Sequence, residues 1–147
     1  MTERHLLAFL VATAVCLTSP LLLHVHGGGE ETSTSFSTED LAFFEKQIRP
    51  LLVERCHECH SKTAETIEAG LRLDSRQAML AGGDTGPVIV PGNPEQSLLI
   101  ESIHYGGTYE MPPDSKLPSA EIDLLNQWVN MGAPWPAEGA DAATRRA

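Results

Sequence analysis

Aromatic and basic residues are scarce in this chain of 147 residues. Phe, Trp and Tyr make up 5% of it, and 10 Lys and Arg stand against 20 Asp and Glu, which gives a formal net charge of −10. This acidity removes the attraction that binding to nucleic acid or to anionic lipid requires, so we expect no nucleic-acid partner. With few large side chains and with 12 Gly and 10 Pro, the chain has little material for a core. We expect a small domain that needs an added apolar body in order to fold.

Cysteine is scarce as well. After Cys16 the chain has two cysteines, and both lie in the stretch CHECH at residues 56–60. A structural zinc site needs four ligands, usually as two separated pairs, and here the second pair is missing. A dithiol redox motif belongs at a helix start within an alternating α/β pattern, and no such pattern follows. Both kinds of site are therefore disfavoured.

The spacing Cys56-x-x-Cys59-His60 suits the covalent attachment of a c-type haem. Two thiols on one turn can add to the two vinyl groups of the haem, and the histidine directly after them can reach the iron from the same side. We predict one covalent haem c on Cys56 and Cys59, with His60 as the proximal iron ligand. His57, between the thiols, should point away from the iron and be exposed.

The N-terminus has the pattern of an export segment. Arg4 precedes an apolar run from Leu6 to Val25, which predicts a signal peptide or an uncleaved membrane anchor over residues 1–26. The polar, Gly-rich residues 27–37 predict a flexible spacer. Because c-type haem is attached outside the cytoplasm, the two features together predict a location in the periplasm or on the outer face of the cytoplasmic membrane.

The rest of the chain has the pattern of short capped helices joined by Pro- and Gly-containing loops. Ser37 and Asp40 resemble a capping box, and they predict a first helix over 40–53 that Pro50 breaks or kinks. Further cap signals predict helices after Ser75, after Asn93 and from Ser119 to Gly132. The PVIV stretch at 87–90 alone suggests a strand. We therefore predict a mainly α domain over residues 38–136, followed by a disordered tail at 137–147.

A second axial ligand would have to come from a methionine or from His104. Met79 lies in a predicted helix, where a thioether usually fills core space, and Met131 ends the last helix. Met111 is followed by two prolines, which hold it extended and could present its side chain rigidly to the iron. We predict Met111 as the distal ligand. Two alternatives stay open: Met111 packs on the haem edge without binding the iron, or His104 binds the iron instead.

Three charged residues follow in the stretch GLRLDSRQ. Arg72 and Arg76 could pair with the haem propionates, because a guanidinium binds a carboxylate through two parallel hydrogen bonds. The alternative for these residues is a local pair between an arginine and Asp74, or an ordinary surface charge.

Three stretches carry a resemblance to a known family. They are FFEKQIRPLLVERCHECHSK, GLRLDSRQAMLAGGDTGPVIVPGNPEQSLLI and MPPDSKLPSAEIDLLNQWVNMGAPWP, which together span residues 43–136. The sequence resembles the planctomycete-type cytochrome c domain, a relative of the small class I cytochromes c, and its MPP stretch matches the family's distal-ligand pattern at Met111. The resemblance implies a helical fold wrapped around one haem, with the haem between the first helix and the last, and electron transfer to a redox partner protein.

The expected function depends on the iron's two axial positions. If the protein fills both, only an electron can move, as in an electron carrier; if one stays open, a peroxidase, a gas sensor or a docking module is possible. We expect single-electron transfer outside the cytoplasm rather than catalysis by the domain alone, with the open-site functions as the alternative.

Overall fold

The computed structural model describes residues 35–137. The predicted signal or anchor segment, most of the predicted spacer and the tail from residue 138 lie outside this range. Within it the regular structure is helical and no strand forms, so the mainly α prediction is confirmed for the described residues. No helix among residues 35–137 is long and apolar enough to cross a membrane.

The first helical segment contains a widened turn. It consists of α1 (Thr38–Phe43), a π-helical turn (Phe44–Ile48) and α2 (Arg49–Arg55). The predicted capping box is present at its start, because the Ser37 side chain accepts a hydrogen bond from the Asp40 amide and the Asp40 carboxylate accepts one from Ser37. Pro50 lacks an amide hydrogen and its ring would collide with the carbonyl four residues earlier. The predicted kink therefore takes the form of the π turn before α2.

The other helical elements are short, and all but the 3-10 turn at Glu68–Gly70 lie at the predicted places. They are a 3-10 turn (Glu68–Gly70), α3 (Arg76–Ala81), a second 3-10 turn (Pro94–Gln96), α4 (Leu98–His104) and α5 (Ser119–Asn130). The single helix predicted after Asn93 is in fact divided at Ser97, whose backbone is extended. It ends at His104, and the next residue, Tyr105, adopts the left-handed conformation.

The strand suggested at residues 87–90 does not form. Val88 and Ile89 are buried, but their segment has no neighbouring strand to pair with. The Val88 amide instead donates to the carbonyl of Met79 in α3, and the Val88 carbonyl accepts from the amide of Leu99 in α4. A short apolar run is ambiguous at the level of sequence, and here it is a buried connection between two helices.

Aromatic side chains join the first helical segment to α5. Phe44, Trp128 and Trp135 are all buried. The Phe44 ring lies 4.3 Å from the Trp135 ring and 6.1 Å from the Trp128 ring, centroid to centroid, and the Trp128 indole donates to the carbonyl of Pro134 at 2.9 Å. These side chains fill the space between the first and last helices at this point, where we expected the haem.

Candidate haem site

The CHECH stretch forms a turn at the end of α2. The Cys56 amide donates to the Leu52 carbonyl, and the His60 amide donates back to the Cys56 carbonyl, each at 2.9 Å. Cys56, Cys59 and His60 therefore lie on one turn, as covalent attachment to two vinyl groups requires. Cys59 is exposed and Cys56 is half-buried. Burial raises the pKa of the Cys56 thiol to about 12, although the Arg55 charge acts in the opposite direction.

His60 lines a cavity in the described part of the chain. Its Nδ1 atom lies 3.3 Å from the Leu71 carbonyl oxygen, and the Leu73 amide donates to the His60 carbonyl at 2.7 Å. A carbonyl accepts but cannot donate, so Nδ1 carries the hydrogen in this contact and Nε2 keeps its lone pair. That is the arrangement in which an imidazole binds a metal through Nε2.

The cavity is mainly apolar. It has about 750 Å³ of empty space, its open mouth included. The side chains that make its apolar walls are Leu71, Val88, Leu98 and Leu99. His60 and Met111 both line it, although they are far apart in the sequence. The structure therefore brings the predicted proximal and distal ligands to one apolar cavity.

The other candidates for the distal ligand lie elsewhere. Met79 is fully buried in the core, and Met131 follows the last residue of α5. His104 is exposed, and its Nε2 atom accepts a hydrogen bond from the side-chain amide of Asn126 at 3.2 Å. None of the three lines the cavity.

The backbone around Met111 is tied to the end of α4. The Met111 amide donates to the Ser102 carbonyl at 3.1 Å, the Met111–Pro112 peptide bond is cis, and the Pro112 carbonyl accepts a hydrogen bond from the Tyr105 hydroxyl. Burial, with the nearby carboxylates of Glu110 and Asp114, raises the pKa of the Tyr105 phenol. The phenol therefore stays protonated and able to donate at neutral pH.

Neither arginine proposed for the propionates lines the cavity. Arg72 pairs with Asp74, with its Nε 3.0 Å from Oδ1, which is the local pair that the sequence left as an alternative. Burial alone would raise the pKa of Asp74, but hydrogen bonds from the Lys62 amide and from Arg72 lower it below its usual value. Arg76 donates to the carbonyls of Gly132 and Ala133, and burial lowers its pKa. Both arginines thus have protein partners.

His57 is half-buried, so the prediction of an exposed side chain is wrong. Its Nε2 atom lies 3.1 Å from the Leu73 carbonyl oxygen, and this contact holds the ring against the chain that follows the motif. It does not line the cavity, in keeping with a side chain that points away from the iron.

Some residues of the cavity were not predicted from the sequence. Asp84, Thr85, Ser102 and Tyr109 contribute its polar lining. The glycines of the loop at 82–87 were the available signal: a Cβ atom on Gly83 would lie 2.4 Å from the Ala69 carbonyl oxygen. This close backbone approach brings the loop against the cavity wall, but nothing in the local pattern indicates which segment it approaches.

The residues present fit a c-type haem. Two thiols and an imidazole lie on one turn, a thioether lines the same cavity as the imidazole, and the walls between are apolar. Imidazole and thioether are the axial ligand pair of cytochromes c. Within residues 35–137, no three His, Cys, Asp or Glu side chains come together as metal ligands would, so a zinc site has no ligand set there.

Comparison with known proteins gives a match to a family model. No curated protein and no solved structure matches the chain. The family model of planctomycete cytochrome C matches residues 56–115, a range that begins at Cys56 and includes Met111. The first helical segment and α5 lie outside the matched range. The resemblance read from the sequence is thereby confirmed, since residues 56–115 are similar to planctomycete cytochrome C.

Proposed function

We propose that this protein carries one haem c and transfers single electrons outside the cytoplasm. The family of the matched domain implies a covalent haem with its iron. The observation that carries the proposal is that Met111 lines one apolar cavity with His60, which lies on the turn that holds the two cysteines. With both axial positions filled by the protein, no position is left for a substrate or a gas, which suits a carrier rather than a peroxidase or a sensor.

Each residue of the site has a separate task. The haem, when bound, supplies an iron that can gain or lose one electron. Cys56 and Cys59 tie the cofactor to the end of α2. The Leu71 carbonyl holds the His60 ring with Nε2 free to bind. Met111 offers a thioether, which favours the reduced state relative to a second imidazole. The apolar walls exclude water and so limit the reorganisation that accompanies a change of charge.

The first test is spectroscopic. The protein, expressed with the haem-attachment machinery, should keep its haem stain after denaturing electrophoresis, and Cys56→Ala with Cys59→Ala should not. The oxidised protein should show a methionine–iron band at about 695 nm. Met111→Ala should abolish this band and lower the reduction potential, whereas Met131→Leu, at the end of α5, should change neither.

The result can also contradict the ligand assignment. A Met111→Ala variant with an unchanged band and potential would exclude Met111, and His104→Ala would then be the next variant to make. If the unmodified protein binds cyanide or reacts with peroxide as fast as haem proteins with an open site do, the open-site alternative replaces electron transfer.

The location is proposed from the N-terminal sequence. The apolar run from Leu6 to Val25 supports export. Cell fractionation should find the haem-containing protein in the periplasm or on the outer face of the membrane. Mass spectrometry of the purified N-terminus distinguishes a cleaved signal peptide from an anchor. A haem-containing pool in the cytoplasm would contradict both.

The redox partner is proposed to present a basic face to the cavity mouth. Asp84 lines the cavity, Tyr109 there is 41% exposed, and Glu110 and Asp114 lie near Tyr105. Carboxylates at the mouth would attract a cationic partner and repel an anionic one.

Electron exchange with hexaammineruthenium should therefore slow as salt is added, and exchange with ferricyanide should speed up. Glu110→Gln should weaken both effects more than Glu39→Gln in α1; equal salt effects on the two reagents would contradict the proposal.

A further inference from the structure

Tyr105 occupies a backbone position that disfavours its own side chain. It follows α4 with φ 57° and ψ 38°, in the left-handed region, and its amide caps the helix by donating to the Glu101 and Ser102 carbonyls. Glycine, or sometimes asparagine, usually takes this position at a helix end, because a Cβ atom is disfavoured there. The sequence places glycines directly after it, at 106 and 107. A tyrosine at this position therefore needs a reason that lies in its side chain.

The side chain reaches the segment that carries Met111. The Tyr105 hydroxyl donates to the carbonyl of Pro112, the residue after Met111. The Lys116 ammonium lies 5.8 Å from the centre of the Tyr105 ring and donates to the His104 carbonyl at 2.7 Å. The left-handed turn at the end of α4 thus directs the phenol toward the chain on the far side of the Gly106–Gly107 loop.

Hydrogen bonds hold the backbone on both sides of Met111. On the N-terminal side, the Met111 amide donates to the Ser102 carbonyl at 3.1 Å; on the C-terminal side, the Pro112 carbonyl accepts from the Tyr105 hydroxyl. Both partners belong to the last turn of α4 and its cap. Anchors on each side of one residue restrict the rotation of its backbone and hence the direction of its side chain.

Few other hydrogen bonds hold this segment. In the part of the chain that the structure describes, one further hydrogen bond ties residues 107–117 to the rest, the one from Lys116 to His104. Pro112 and Pro113 have no amide hydrogen to donate. The direction of the Met111 side chain therefore depends strongly on the Tyr105 hydroxyl.

We propose that Tyr105 is a positioning residue that keeps the Met111 thioether directed into the haem cavity. This inference rests on the proposed function, in which Met111 is the distal iron ligand. Tyr105 does not itself line the cavity. Its effect would be to keep the methionine from leaving the iron and thus to exclude external ligands.

The test compares variants of the haem-loaded protein by the affinity of the oxidised form for imidazole, which competes with methionine for the iron. Tyr105→Phe removes one hydroxyl and should raise this affinity about 3- to 10-fold, the effect expected for one hydrogen bond. The band at about 695 nm should weaken. Amide hydrogen exchange at Met111, a readout independent of the iron, should accelerate by a similar factor.

Two further variants separate positioning from general stability. Glu121→Gln removes the charge from an ion pair with Arg55, at 2.9 Å, in which neither residue lines the cavity, and should leave imidazole affinity unchanged. Tyr105→Gly relieves the left-handed strain but also removes the phenol, so imidazole affinity should rise as in Tyr105→Phe.

The possible failures can be told apart. If Met111→Ala does not change the band, the proposed ligand is wrong and the inference falls with it. If Met111→Ala abolishes the band but Tyr105→Phe matches the unmodified protein, the ligand stands and the positioning role is wrong. An equal rise in imidazole affinity in Glu121→Gln would overturn the positioning role too, since it would trace the effect to stability.

Discussion

His60 and Met111 are each held by a backbone carbonyl from another segment. Leu71 supplies the carbonyl for the His60 ring, and Ser102 supplies the one for the Met111 amide. The charged residues near the CHECH motif make hydrogen bonds to other parts of the chain. Asp74 accepts hydrogen bonds from the Lys62 amide and from Arg72. Asp74 thus holds together the loop between the haem motif and α3.

Asp74→Asn should destabilise the protein in a pH-dependent way. The pKa of Asp74 is lowered in the folded state, so its charge contributes stability above the ordinary pKa of an aspartate, and this contribution is lost as the pH falls through the lowered folded value. We expect a loss of about 1 kcal/mol at pH 7, the size of a net hydrogen-bond contribution. Urea denaturation of the haem-loaded protein at pH 7 and at pH 3 measures it.

Asp123→Asn is the matched control, since Asp123 is an exposed carboxylate on α5 with no hydrogen bond or ion pair within the described residues. It should have little effect at either pH. An Asp74→Asn deficit that stays constant from pH 7 to pH 3 would show that the charge of Asp74 is not what stabilises the loop.

Among the structural elements, the loop after α3 has little freedom to vary. Gly82 has φ 79° and ψ −165°, a region open essentially to glycine alone. A Cβ atom there would lie 1.7 Å from the Gly86 carbonyl oxygen. The neighbouring Gly83, Asp84 and Thr85 line the cavity, so the shape of this loop is also the shape of one cavity wall.

Gly82→Ala should therefore destabilise the protein by roughly 3 kcal/mol or more, because backbone strain and a collision with backbone atoms add together. Gly92→Ala is the control: Gly92 also has a positive φ, 80°, but a Cβ there meets nothing within 4 Å, so we expect a loss of about 1 kcal/mol. Thermal denaturation compares the two. Equal losses would mean that the collision is relieved by movement of the loop.

The contact between the first helical segment and α5 should depend on Phe44. Its ring is fully buried against Trp128 and Trp135. Phe44→Ala should lower the free energy of unfolding by about 3–5 kcal/mol, the range for a large buried side chain that leaves a cavity. Val53→Ala, at a side chain that is 54% exposed on α2, should change it by about 0.5 kcal/mol or less. A small effect of Phe44→Ala in chemical denaturation would indicate that the two helices pack through other residues.

At the scale of the whole molecule, the aromatic contacts and the cavity lie on different elements, although Val88 and Leu99 belong both to the core and to the cavity walls. The aromatic core joins the first helical segment to α5, whereas loops and α4 line the cavity. Leu71 and Leu98, two of the cavity walls, are half-buried. Burial of these walls against the cofactor would supply apolar contact that the chain alone lacks.

We expect the domain to fold only with haem. The variant with Cys56→Ala and Cys59→Ala, purified free of haem, should be largely unfolded, because the cofactor stabilises only the folded state. Circular dichroism and thermal melting of the variant beside the haem-loaded protein test this. A cooperative, native-like melt of the haem-free variant would mean that the aromatic core between the helices is sufficient.

Short-range patterns were enough to predict the haem motif and most of the helices. The CHECH spacing, the Ser37 capping box and the Ser75 cap depend on residues within one turn of each other, so their geometry follows from sequence spacing. The same reasoning reduced the distal ligand to a few candidates. Family resemblance, which the match at residues 56–115 confirms, also rests on these local motifs.

Long-range packing set the features that the sequence did not predict. Residues 87–90 form a buried connection and not a strand, because the backbone of Val88 makes its hydrogen bonds with α3 and α4. The sequence around Arg76 does not exclude a contact with the propionates. In the fold, however, the Arg76 guanidinium donates to backbone carbonyls that follow α5. Phe44 and Trp128 fill the space expected for haem, and the cavity forms where loops distant in sequence meet α4. Such contacts depend on the relative positions of whole elements, which spacing along the chain does not encode.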